Sequence, residues 1–406
     1  MNDTAQQDAR PLDGIRVIEM AGLGMGPLAA QTLGDYGAEV IKVEPLEGDL
    51  FRRTSPRRSA GMGHTFLQFN RNKRSIAVDV KSARGSDLVR RLVEGADVFL
   101  SNTRSAALTR LGLDGASLRA RNPGLVYCLC NGFADGGPYA GRPAADDTIQ
   151  AMSGLVDLQN RAGGGAHFTA TVVADKVVAL TIVNTVLAAL LRRARTGTGI
   201  AVEVPMFETM VAFVLPEHMA GAAYDPAEGG TGYARLLNPN RAPFATSDGQ
   251  LCVLPYTDQQ WQRFFALIGR PELAEDPRFA TLDQRALHFE DVYGIVRAAL
   301  PQKTTAEWIA LLERSDILYG PVNTVEDLLA DPHLAARNMF PEHDHPTEGR
   351  IRLLGFPVSA SAPFAGLDRL PPRLGEHGAA IAAEAGLGGD EIRAMIRDGE
   401  LLAPPD

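Results

Sequence analysis

The chain has 406 residues, of which 45% are apolar and 22% charged, with a formal net charge of −9. Such a length favours more than one domain with a sizeable core, and the acidic balance argues against a chain that binds nucleic acid. Cys128, Cys130 and Cys252 lack CxxC spacing, so neither a disulfide framework nor a zinc or other metal site is indicated. The polar opening MNDTAQQDARPLDG has no apolar signal core, which makes a cytoplasmic location the default expectation.

In chain order, IRVIEMA (15–21) reads as a buried strand and PLAAQTLGDYG (27–37) as a helix, with Pro27 in its first turn and Gly37 past its end. AEVIKVE (38–44) follows as a second strand. RSIAVDV (74–80) is a strand, residues 82–94 a helix stopped by Gly95, and ADVFLSN (96–102) and GLVYCLCNGF (124–133) are further strands. This alternation predicts an α/β fold with a doubly wound parallel sheet. The apolar run VVALTIVNTVLAALL (177–191) is too short to span a bilayer and is expected as a buried helix, with no membrane partner.

Beyond Gly199 comes another strand, IAVEVPM, and a Gly-, Pro- and Asn-rich loop from Pro226 to Asn240. Strand DGQLCVLPY (248–256) and helices near 259–267 and 305–314 complete that region. The expected organisation is a large domain at 1–200, a linker at 201–224 and a second, smaller domain at 225–330. Residues 331–406 are expected as a C-terminal segment returning to the large domain.

Charge is unevenly spread. Between Lys42 and Arg91 there are twelve Lys/Arg against five Asp/Glu, a local excess of +7. Two readings fit: a solvated basic face, or a site for a small polyanion such as nucleotide phosphates.

The turn GLGMGPLA (22–29) fits G-x-G-x-x-A after a strand and before a helix, with Glu44 at the end of the next strand, as a Rossmann-like dinucleotide fingerprint would. Glycines there let the backbone approach a diphosphate at a helix N-terminus. A second candidate is TVVADKVVAL (171–180), in which Asp175 and Lys176 interrupt hydrocarbon. Asp175 falls at or near the N-cap of the helix beginning there, a capping role that is commoner than catalysis. Helix-terminal N–H groups and dry surroundings also suit a carboxylate nucleophile. Asp146 and Asp147 are adjacent, so they do not share a helix face as a glycosidase pair would. His167 is a lone loop histidine, and no HExxH, GxSxG or Walker A pattern occurs.

Longer runs carry more specificity. PLDGIRVIEMAGLGMGPLAAQTLGDYGAEVIKVEPLEGDLFRR, NRNKRSIAVDVKSARG, ADVFLSNTRSAALTRLGL, NPGLVYCLCNGFADGGP, DDTIQAMSGL, TVVADKVVALTIVNTVLAALLRRARTGTG, PNRAPF, DPHLAARNMF and HPTEG together resemble the family III CoA-transferases, over nearly the whole chain. The resemblance implies transfer of coenzyme A from an acyl-CoA thioester to a free carboxylic acid, with Asp175 as nucleophile. Aspartyl-anhydride and aspartyl-CoA thioester intermediates would follow. No tightly bound cofactor is implied; CoA is a substrate.

By the same resemblance, Leu23, Met25, Val78, Lys81, Asn102, Thr103, Arg110 and Leu111 contact CoA, with Lys81 and Arg110, joined by Arg142, as phosphate partners. The glycine fingerprint is then a CoA-binding variant. Asp146, Ala145, Gly229, Gly230 and Gly232 are candidate substrate-side or supporting positions, the glycines as a loop covering Asp175. The family also implies an interlocked homodimer.

The family includes α-methylacyl-CoA racemases, which keep the Asp and carry a His immediately before the acidic residue matching Asp146. Ala145 stands there, which removes one base of a two-base proton exchange and favours transfer. A catalytically inactive CoA-binding homologue is a third reading, disfavoured by the presence of Asp175. Transferases often have Tyr at the position of Ala145, formyl-CoA transferase has Gln where Gly24 stands, and RPG is replaced by RSA (104–106). These departures bear on substrate identity more than on the reaction.

Overall fold

The computed structural model describes residues 9–403; residues 1–8 of the polar opening lie outside the described residues. The chain divides into two compact units, one of residues 1–154, 168–214 and 336–406, the other of 155–167 and 215–335.

The first unit is built on a six-stranded sheet. Its strands are β1 (Arg16–Met20), β2 (Glu39–Glu44), β3 (Lys73–Ala77), β4 (Val98–Ser101), β5 (Val126–Leu129) and β6 (Ile200–Glu203). They lie in the order β3-β2-β1-β4-β5-β6, and every neighbouring pair is parallel. Parallel strands covered on both faces need continuous apolar runs, and β4 and β5 are buried throughout. The order reverses between β1 and β4, which opens a crevice at their carboxyl ends.

Helix α1 (Met25–Asp35) leaves β1 through the glycine turn. Helix α2 (Ala83–Glu94) starts at Ser82, whose hydroxyl accepts the Gly85 N–H at 2.9 Å, and stops at Gly95. After β4 comes α3 (Ser105–Leu111); after β5, α4 (Asp146–Met152) and the long α5 (Val173–Thr196); after β6, α6 (Met206–Val214). Thus residues 201–214 are not linker: they hold most of the sheet's edge strand and a helix of the same unit, because a short apolar run after a helix completes one more parallel crossover.

Helix α5 runs 24 residues, well beyond its fifteen-residue apolar stretch, and by length and composition it could cross a membrane. One face, including Val178, Ile182, Val186 and Leu190, is buried, and the helix packs against α1 and α6.

In the second unit, β7 (Phe244–Ala245), β8 (Gln250–Leu254) and β9 (Leu318–Pro321) form an antiparallel sheet. With α7 (Asp258–Leu267), α8 (Phe289–Ala299) and α9 (Thr305–Leu312) it encloses Leu251, Trp261, Phe264 and Trp308. Thr257 and Thr304 open α7 and α9 with capping boxes.

Residues 336–406 return to the first unit. The hairpin β10 (Glu342–His345) and β11 (Gly349–Arg352) is antiparallel. Helices α10 (Gly378–Glu384) and α11 (Gly389–Arg397) bring Ile381 and Met395 into the core of Ile18, Ile41, Ile76 and Phe99.

Four of the twelve cations from Lys42 to Arg91 are folded inward, while Arg53, Arg57, Arg58, Lys81 and Arg91 are exposed. Lys42, fully buried, donates to Glu19 (2.9 Å), Asp49 (3.0 Å) and the Ala21 carbonyl (2.8 Å). Lys73 pairs with the other Glu19 oxygen at 2.7 Å, Arg52 grips Glu44 through two nitrogens (2.7 and 2.8 Å), and Arg71 grips Asp35 likewise (2.8 and 2.7 Å). Burial works against the charge on Lys42, but Glu19, Asp49 and Glu44 hold it above the usual lysine range. Burial likewise opposes the charge on Glu44, yet Arg52, Lys42 and Ser75 hold it down at about 2. Neither expected role, solvated face or polyanion site, describes these four cations; they are the counterions of buried carboxylates, Glu19 and Glu44 in the sheet, Asp49 in the loop after β2 and Asp35 at the end of α1.

Candidate active site

Asp175 lies in the first turn of α5. The N-cap is Val172, so the carboxylate sits inside the helix start and does not cap it. The Asp175 N–H is itself capped by Asp146, whose Oδ1 accepts it at 3.1 Å from the first residue of α4. Asp146 is buried, and its other oxygen accepts from Gln150, one helical turn on. Gln150, also buried, accepts the Thr169 N–H at 2.9 Å, which secures the chain entering α5.

From the other side comes the glycine turn. The Met25 N–H, at the start of α1, is directed to the Asp175 carboxylate closely enough to favour its ionised form. A Cβ on Gly24 would stand 2.5 Å from the Asp175 Cγ, so no other residue fits there while the carboxylate keeps this place. The helix N-terminus that a dinucleotide fingerprint offers to a diphosphate is here used by a side-chain carboxylate. Glu44, the fingerprint's ribose-binding acid, has both oxygens committed: Oε1 to Arg52 and the Asp49 N–H, Oε2 to Arg52 and Ser75. Gly26 serves packing, since a Cβ there would meet the Ala21 Cβ at 2.5 Å.

The turn is fixed at several points. Asn102, just after β4, accepts the Gly22 N–H (3.2 Å) and donates to the Gly22 carbonyl (2.8 Å). Leu23 has φ +65°, left-handed for a residue with a branched side chain, and its N–H donates to Asp49 Oδ1 at 3.1 Å.

Burial first, then the neighbouring Asp146 carboxylate, pushes Asp175 up to about 6, while the Met25 N–H pulls the other way. At neutral pH the group is ionised yet more basic than an ordinary carboxylate, which suits a nucleophile. Lys176 turns away: it is exposed and donates to Thr171 Oγ1 at 2.7 Å.

Across the carboxyl ends of β1 and β4 opens a cavity of about 1240 Å³; Leu23 and Met25 of the glycine turn line it, whereas Asp175, packed against Gly24 of that turn, is not among its lining residues. Leu23, Met25, Lys81, Asn102, Thr103, Arg110, Leu111 and Arg142 all line it. Val78 does not: it is fully buried in the core and bridges to Leu401, with its N–H on the Glu44 carbonyl. Two residues further along, in the turn beyond β3, Val80 lines the cavity. Lys81, Arg104, Arg110 and Arg142 are exposed cations on the wall, and Arg142 stacks over Tyr139 at 4.5 Å. Of the basic residues from Lys42 to Arg91, Lys81 alone among those described lines the cavity.

Ala145 is exposed and presents a methyl group ahead of Asp146. Gly229, Gly230 and Gly232 belong to the second unit. Their segment is tied down by the Gly232 N–H on the His218 carbonyl (2.8 Å) and by Arg161 on the Thr231 carbonyl (2.6 Å). Among the described residues no group of three His, Cys, Asp or Glu is placed to hold a metal ion.

Three residues here carried no functional signal in the sequence. Asp49 reads as an acid before a short helical turn, and Arg104 as one more surface cation. Gln150 stands four residues after Asp146, a spacing that marks a helix-face pair once the helix is recognised.

Residues 12–378 match CoA-transferase family III. A succinate–glutarate CoA-transferase from Agrobacterium fabrum is 34% identical, over 92% of this chain and 95% of its own. A succinyl-CoA:glutarate CoA-transferase from Mus musculus is 32% identical, over 91% and 85%. The crystal structure of a CaiB/BaiF family protein from Brucella suis superposes with a TM-score of 0.79 at 36% identity, covering 93% of this chain and all of the other.

Proposed function

Because the chain belongs to CoA-transferase family III and is a CoA-transferase, we propose that Asp175 is its nucleophile and that CoA passes from an acyl-CoA to a free carboxylic acid through covalent aspartyl intermediates. The observation that carries the reading is one ionisable carboxylate packed against Gly24 of the turn whose Leu23 and Met25 line a large cavity, with Lys81, Arg104, Arg110 and Arg142 on the same wall.

An Asp175 oxygen attacks the thioester carbonyl; the C–S bond breaks, leaving an aspartyl-acyl anhydride and CoA thiolate. The thiolate attacks the aspartyl carbonyl, releasing the first acid and forming an aspartyl-CoA thioester. The acceptor carboxylate attacks this thioester, regenerating thiolate and a second anhydride. The thiolate then attacks the acceptor's carbonyl, which frees Asp175 and yields the new acyl-CoA. Every acyl link is worth about as much as the last, provided water stays out, and the half-buried carboxylate supports that condition.

CoA lies along the cavity with its phosphates toward Lys81, Arg110 and Arg142, charge-assisted partners for a polyanion. Ala145 offers no base for α-proton exchange, which weighs against racemisation. The exposed Leu180, Leu191 and Phe213 on α5 and α6 support a homodimer, testable by sedimentation.

The test is a panel of acyl-CoAs with free acids, beginning with succinyl-CoA and glutarate, the pair that the mouse relative's name carries. A new acyl-CoA matching the added acid supports transfer. Deuterium uptake at the α-carbon with no new CoA ester would overturn it.

A further inference from the structure

The turn between β1 and α1 is closed by a buried charge. Lys42 Nζ holds the Ala21 carbonyl (2.8 Å) on one side of Gly22 and Asp49 Oδ2 (3.0 Å) on the other. Asp49 Oδ1 accepts the N–H of Leu23 (3.1 Å) and of Phe51 (2.9 Å). The path from Ala21 through Lys42 and Asp49 to Leu23 is therefore a closed ring around Gly22. Within it Leu23 is kept at φ +65°, a bend that costs a side-chain-bearing residue about 1 kcal/mol or more.

This bend sets where the next two residues go. Gly24 passes so close to Asp175 that a Cβ would collide with the carboxyl carbon, and the Met25 N–H that follows meets the carboxylate. Asp49 is 5% exposed and lines the cavity, yet its oxygens are engaged by Lys42, Leu23 and Phe51. Nothing in the proposed chemistry uses it.

We infer that Asp49 is a positioning residue for Asp175: by accepting the Leu23 N–H from a Lys42-anchored site, it holds the left-handed bend from which the Met25 N–H reaches the reacting carboxylate. The inference rests on Asp175 as the reacting group. The charged group facing Asp175 is Asp146 from α4; α1 contributes the Met25 N–H, and on α5 Lys176 is turned to Thr171.

Replacing Asp49 alone would leave buried Lys42 with one carboxylate in place of two, so the test removes both charges together and varies only the acceptor. Lys42→Met/Asp49→Asn keeps an amide oxygen for the Leu23 N–H; Lys42→Met/Asp49→Ala does not. The readout is the NMR titration of the Asp175 carboxyl carbon, assigned by its loss in Asp175→Asn, with the pH profile of CoA transfer beside it. The Asn pair should titrate as one background. In the Ala pair, losing the Met25 N–H should raise the midpoint by about half a pH unit and lower kcat roughly tenfold, with the acid limb of activity following. Identical midpoints in the two folded pairs would overturn the inference, since a loss of stability alone does not move a titration. Turnover by Asp175→Ala would instead remove the catalytic reading and leave the titration result standing.

Discussion

The stretch from Lys42 to Arg74 and the stretch from Thr171 to Leu180 invert what their charges suggest. The first is rich in cations and resembles a surface for anions, yet Lys42, Arg52, Arg71 and Lys73 are buried against Glu19, Glu44, Asp49 and Asp35. The second is apolar with one carboxylate and one exposed ammonium, and that carboxylate packs against the glycine turn whose Leu23 and Met25 line the large cavity. Charge density along a chain does not locate chemistry; what decides is whether a buried ionised group has a full set of partners. Lys42 has three oxygens, whereas Asp175 has one backbone N–H and a like charge.

That contrast is breakable. The largest effect belongs to Asp175→Asn, which should lower CoA transfer about 10⁴-fold or more while stabilising the fold above neutral pH. The sign follows from the folded-state value of about 6 against an ordinary 3.8. Folding favours the protonated acid, so the wild-type carboxylate is fully tolerated below about pH 4 and loses stability as pH rises through 6. At pH 8 the Asn variant should be more stable by up to about 3 kcal/mol in denaturant titrations, and at pH 4 by nothing.

Next is Lys42→Met, which takes from buried Glu19 and Asp49 their shared cation, leaving Glu19 to Lys73 and Asp49 to the Leu23 and Phe51 N–H groups, and should cost about 3 kcal/mol, read as a lowered urea midpoint. Gly24→Ala should follow: its methyl displaces the Asp175 carboxylate, lowering kcat about a hundredfold with the urea midpoint nearly unchanged. Lys81→Ala should raise KM for the CoA ester roughly tenfold and weaken the salt dependence of binding, leaving kcat alone. The smallest change is Lys176→Ala, within about 0.5 kcal/mol in stability and without effect on turnover, since its ammonium is exposed on Thr171.

The difference between these regions also marks how far the sequence could be read. The parallel sheet was legible because each strand is a short apolar run between helix signals, and the glycine turn because its spacing is tied to a strand-to-helix bend. Asp175 stood out through its neighbours. The counterions did not: Glu19 and Lys42 are distant in sequence and meet only because β1 and β2 pair in the register that sets them opposite each other. Val78 is buried beneath the C-terminal Leu401, a contact between residues far apart in sequence, and the cavity wall is lined by Val80. In 201–214 the strand IAVEVPM was legible, but its pairing with β5 was not, so the segment's place in the large domain could not be read from the sequence.

The most direct measurement is the mass of the peptide carrying Asp175 after rapid quenching with an acyl-CoA. The account predicts an added acyl or CoA mass on that peptide, converted by hydroxylamine to the aspartyl hydroxamate and absent in Asp175→Ala. An unmodified peptide throughout turnover, together with transfer retained in Asp175→Ala, would contradict it.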